Sequence, residues 1–130
     1  MAKTIYFDAL KFRVPEGQTF NINFAVLTNK ESLFHSIAAE LSFEMNPRNS
    51  WDAFLDQFRE FCSSRCHDTA IVFSDFQEFS HHYFRLSIEL IEIILLAIRE
   101  HDQIVRDKLQ NPHGRHWEDD KDVRIFVVLR

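Results

Sequence analysis

Phe20, Ile22, Phe24 and Val26 alternate with Asn21 and Asn23, the period-two pattern of a half-buried strand. The run before it, Lys3–Val14, alternates less cleanly, with Phe12 and Val14 on one side. Pro15-Glu16-Gly17-Gln18 separates the two runs and has turn chemistry. Residues 1–27 therefore read as a β-hairpin. The period then changes. Leu33, Phe34, Ile37, Ala38 and Leu41 fall on one helical face, and Thr28-Asn29 offers the N-cap. Pro47 and the Asn-rich stretch Asn46–Asn49 end that helix in a loop. A second helix starts at Asn49 or Ser50. Trp51, Phe54, Leu55, Phe58 and Phe61 occupy one arc of it, and Asp52, Asp56 and Glu60 form a line of acids on another. Asp52, three residues after Asn49, gives a capping-box-like start and suits the helix dipole.

Thr69–Phe73 (TAIVF) is a short continuous apolar run, the pattern of a strand buried on both faces. Asp75–Ser80 reads as a short helical turn. A long helix follows from Tyr83 to His101. Its middle, LIEIILLAI, is apolar almost all round and predicts the most buried helix. Residues 102–120 are polar; their first part extends the helix toward Leu109, and the rest, with Asn111-Pro112-His113-Gly114, reads as a long loop. Val123–Leu129 (VRIFVVL) is a further apolar strand. Strands alternating with helices imply an α/β fold with a small three-stranded parallel sheet packed by helices. The organisation expected is one domain: a strand extension over residues 1–18 on a domain spanning 19–130.

Composition narrows the class. At 130 residues the chain can build a core without disulfides or metal. Two Gly and three Pro are too few for a sandwich or barrel of many tight turns, and 14 Phe point to an aromatic core. The net charge of −5 excludes the basic footprint of a nucleic-acid binder. The charge is uneven: residues 1–48 hold five basic and five acidic side chains, so the whole excess lies from residue 49 onward. That asymmetry suits either solubility or the long-range steering of a basic partner, and composition alone does not decide between them. Cys62 and Cys66 do not make a disulfide framework. No apolar run reaches the ~20 residues of a membrane span, and the N-terminus is too polar for a secretory signal. The expectation is a cytoplasmic protein.

Little points to catalysis. The chain has no Gly-rich phosphate loop, no G-x-S-x-G and no H-E-x-x-H, so an enzyme is not expected. Cys62, Cys66, His67, His81 and His82 match no standard zinc module, and no metal or other cofactor is expected. Trp117, beside Glu118-Asp119-Asp120, is a candidate interface residue.

Ser50-Trp51-Asp52-Ala53-Phe54-Leu55-Asp56 resembles the N-[LW]-D-A-L-x-D helix start of the barstar family, inhibitors of secreted bacterial ribonucleases such as barnase. Other elements follow in the family's order. Phe20–Leu27 looks like its first strand, Glu31-Ser32-Leu33 with Ala39-Glu40-Leu41 like its first helix, and TAIVF like its second strand. Ile98-Arg99-Glu100 is similar to the end of its last helix, and VRIFVVL to its closing strand. The resemblance covers about residues 19–130, with an insertion near 102–120. An alternative alignment makes Thr4–Leu10 the first strand; the one from Phe20 needs no gap.

The resemblance implies a protein that plugs a ribonuclease active site with the motif helix and the loop before it, acidic side chains standing in for substrate phosphates. By motif position those acids are Asp52 and Asp56, with Glu100 as a further acid. Asn46, Asn49, Ser50, Leu55 and Arg59 are expected as flanking contacts. The expected partner is a basic protein, a ribonuclease above all, with no nucleic acid and no membrane. The alternative is a protein of this fold with another partner, or one that associates with itself; the sequence leaves the oligomeric state open. The chain departs from the family in its loop, Met45-Asn46-Pro47-Arg48-Asn49, which lacks the family's aromatic residues and glycine. Arg59 can also pair with Asp56 at i, i+3.

Overall fold

In the computed structural model, residues 4–8, 18–110 and 124–130 are described, and they form four strands and four helices. The strands are β1 (Thr4–Asp8), β2 (Thr19–Asn23), β3 (Thr69–Ser74) and β4 (Arg124–Leu129). The helices are α1 (Lys30–Glu40), α2 (Trp51–Ser63), α3 (Phe76–His82) and α4 (Phe84–Gln110). The sheet order is β1-β4-β3-β2, and every neighbouring pair is parallel. The expected α/β architecture, three parallel strands packed by helices, is present as β2, β3 and β4. α1 and α2 connect β2 to β3, and α3 and α4 connect β3 to β4.

The N-terminal extension supplies a fourth strand, and here the hairpin expectation is corrected. β1 and β2 occupy opposite edges of the sheet. β1 pairs with β4 from Thr4↔Arg124 to Asp8↔Val128, while β2 pairs with β3 from Thr19↔Ala70 to Asn23↔Ser74. A tight turn joins only antiparallel neighbours, so parallel strands at separate edges cannot form a hairpin.

β3 and β4 are buried on both faces. Ile71, Phe73, Ile125 and Val127 face the helices and join the main core with Ile22. Ala70, Val72, Phe126 and Val128 form a second cluster on the opposite face. β2 is an edge strand, and its outward residues Asn21 and Asn23 are polar and exposed. The Asn21 N–H, which has no strand to pair with, donates to Glu40 Oε1 of α1 at 3.2 Å. The alternation stops at Asn23: Phe24–Val26 forms a 3-10 turn that buries Phe24 and leaves Val26 exposed.

The helices add Leu33, Phe34, Ile37, Phe54, Phe58, Phe61, Phe79, Leu90 and Ile94 to the core. Its aromatic rings are contiguous. Phe34 stacks on Phe54 at 5.0 Å between centroids, and Phe54 continues to Phe58 and Phe61 along α2. Phe24 meets Phe73, Phe76 and Phe79. Edge-to-face and offset contacts of this kind add about 0.5–1.5 kcal/mol each beyond area burial, which is how a small core uses so many Phe.

The expectation that α4 is the most buried helix is corrected. Ser87, Leu90, Ile94 and Ala97, spaced i, i+3, i+7, i+10, face the core, whereas Phe84, Ile88, Leu95 and Leu96 are exposed. A helix lying on one side of a single sheet has only one face to bury, however apolar its other residues are.

Candidate functional site

The site begins with the chain reversal between α1 and α2. The Phe43 N–H donates to the Ala38 carbonyl (2.9 Å) across Ser42, whose φ is 55°, closing α1 as a Schellman motif without glycine. Three contacts then order the loop. The Met45 N–H donates to Gln57 Oε1 of α2 (3.2 Å), the Arg48 N–H to Asn46 Oδ1 (2.9 Å), and the Ser50 N–H to the Pro47 carbonyl (3.1 Å). Pro47 is buried beneath them. Arg48 sits at φ 55°, a left-handed conformation that favours glycine. The turn before α2 is thus held by a non-glycine residue in a glycine-like backbone conformation.

Ser50 caps α2, its Oγ accepting the Ala53 N–H at 3.2 Å. The cap is therefore Ser50 rather than Asn49, and Asp52 lies in the first helical turn, where the dipole favours a carboxylate. Trp51 is half-buried; it stacks edge-to-face on Phe34, and its Nε1–H donates to Glu89 Oε2 of α4 at 2.7 Å. This bond joins the first turn of α2 to α4. Asp52, Asp56 and Glu60 form an exposed row along α2.

Glu100 reaches the same row from α4. Arg59 lies between the acids: its Nη1 donates to Asp56 Oδ1 at 2.9 Å, and its Nη2 is paired with Glu100 Oε2. The Asp56 side chain is 69% exposed, Arg59 40% and Glu100 37%. Arg59 Nε is buried and without a hydrogen-bond partner. Asp52 and Glu60 are in no ion pair among the described residues. The arrangement is an anionic strip with one embedded cation.

Of the residues singled out in the sequence, Asp52, Asp56, Arg59 and Glu100 share this strip. Asn46 and Asn49 instead line a groove of about 420 Å3 between the loop and the start of α1, together with Arg48, Asn29, Glu31, Ser32 and His35. Leu55, 6% exposed, belongs to the core and offers almost no surface. Ser50 is occupied as the cap. The α1 contributors Glu31 and His35 were not anticipated. Their signal is the i, i+4 spacing on the polar flank of α1, visible once the loop is known to fold back beside it. Trp117 and the acids after it lie outside the described residues.

No described helix is long and apolar enough to cross a membrane. Among the described residues no group of three His, Cys, Asp or Glu side chains converges as a metal site. Cys62 is buried and Cys66 exposed, and no disulfide joins them.

The family model for barstar, the barnase inhibitor, matches residues 17–127, from the start of β2 into β4 and across the whole acidic strip. The chain belongs to the barstar family. No curated protein and no solved structure matches it. The match begins beside β2, in keeping with the gap-free reading that makes Phe20–Leu27 the family's first strand. Membership assigns protein binding of the barnase-inhibitor kind. This barstar-family chain carries the motif acids Asp52 and Asp56 on the exposed side of α2, with an arginine embedded among them.

Proposed function

We propose that the chain is an intracellular inhibitor that binds a basic ribonuclease and blocks its active site with Asp52, Asp56 and Glu100. Such a site is built from Arg, Lys and His to hold phosphate. Carboxylates fixed on a helix complement it, and their ordering cost has already been met by folding. The observation that carries the reading is the exposed alignment of Asp52 and Asp56 on α2 beside Glu100 of α4, inside the family match. Asn46 and Asn49 line the groove beside α1, on the loop that leads into α2, and are proposed as flanking contacts. Residues 1–18 extend the inhibitory domain, 19–130, by a strand. The role is that of an immunity protein in the bacterial cytoplasm, holding a nuclease inactive before export.

The test is cleavage of a fluorogenic RNA by barnase with increasing amounts of the chain. Stoichiometric inhibition that is lost in Asp52→Ala/Asp56→Ala supports the reading; unimpeded cleavage at micromolar excess rejects a barnase-type target.

The exposed stripe Phe84, Ile88 and Leu95 on α4 favours a second reading, self-association. Sedimentation across a hundredfold concentration range separates the two: a constant monomer mass removes the second.

A further inference from the structure

We infer that Arg59 is a specificity-determining residue: it is an internal cation that occupies the seat between Asp56 and Glu100 and keeps generic cations out of it. This rests on reading the acidic strip as the binding face. Arg59 Nε is buried without a hydrogen-bond partner, and its guanidinium spans two helices to reach two carboxylates. An opposite charge placed there by the chain itself does what a partner's Lys or Arg would do. The trio of Asp56, Arg59 and Glu100 carries a net charge of −1, where the two acids alone would carry −2. Asp52 and Glu60, outside any ion pair among the described residues, stay open to a partner on either side of the trio.

A partner cation therefore has two routes. It engages Asp52 and Glu60 and leaves Arg59 seated, or it displaces Arg59 and takes both freed carboxylates. All three side chains are substantially exposed, and pairs of this kind are individually weak, so displacement is feasible when the incoming group is well placed. A flexible polycation offers no such placement and gains little. The arrangement discriminates by repulsion as well as by attraction.

The experiment compares the wild-type chain, Arg59→Gln, and Arg59→Gln combined with Asp56→Asn, each checked for folding by thermal melting. Gln keeps a polar, hydrogen-bonding but shorter side chain and removes the charge. The first probe is a hexa-arginine peptide, titrated in about 10 mM salt, where the screening length is about 30 Å. Arg59→Gln is expected to bind it about tenfold more tightly than wild type, and Asp56→Asn to reverse the gain. Equal or weaker binding by Arg59→Gln overturns the assignment. The second probe is barnase. If neither chain binds barnase while the peptide gain holds, the ribonuclease reading fails and the role of Arg59 stands. If Arg59→Gln weakens barnase binding, Arg59 is an attractive contact, and its role as an internal competitor is wrong.

Discussion

The Arg59 guanidinium of α2 is paired with the Glu100 carboxylate of α4, so two helices joined through β3 and α3 meet at the charged face. The pair is too exposed to anchor the fold. Glu100→Ala is expected to lower unfolding stability by less than about 1 kcal/mol in a urea titration. A larger loss would mean that the pair holds α2 against α4, and that the face is structural first.

That anchoring role falls to Phe54. It is fully buried and contacts Phe34, Phe43, Trp51 and Phe58. Phe54→Ala leaves a cavity where α1 and α2 meet and is expected to cost about 3–5 kcal/mol by chemical denaturation. The helix that presents the acids would lose its seat with it.

Trp51 ties α2 to α4 through its Nε1–H bond to Glu89. Trp51→Phe keeps an aromatic ring against Phe34 and removes only the donor. The expected loss is about 1–2 kcal/mol, since the acceptor is a carboxylate and half-buried. A neutral result would show that water replaces the bond at no cost.

The start of α1 carries a reciprocal cap. Asn29 Oδ1 accepts the Ser32 N–H at 2.7 Å, and Ser32 Oγ accepts the Asn29 N–H at 3.1 Å. Asn29→Ala is expected to destabilise the chain by about 1 kcal/mol, read as a lower denaturation midpoint with an unchanged slope.

Where the fold follows from local pattern, the sequence conveys it. The heptad-like arcs of α1 and α2, the apolar run of β3 and the closing strand β4 are all where periodicity puts them. The failures share one cause: each depends on a partner distant in sequence. β1 read as a hairpin arm because its partner, β4, lies over a hundred residues away. α4 read as the most buried helix because its apolar residues do not reveal that only one face meets the core. In the site, the Asp56–Arg59 pair was legible at i, i+3. The Arg59–Glu100 pair was not, because nothing local relates α2 to the end of α4. The groove beside α1 was hidden for the same reason: it exists only after the loop folds back.

The central claim is that the acids of α2 hold a basic ribonuclease. The direct measurement is the Kd for barnase, by titration calorimetry, of the wild-type chain and of Asp52→Ala/Asp56→Ala. The account predicts that wild type binds, that the double variant binds at least about a hundredfold more weakly, and that wild-type affinity falls as salt is raised. Equal affinities for the two chains, insensitive to salt, would contradict it.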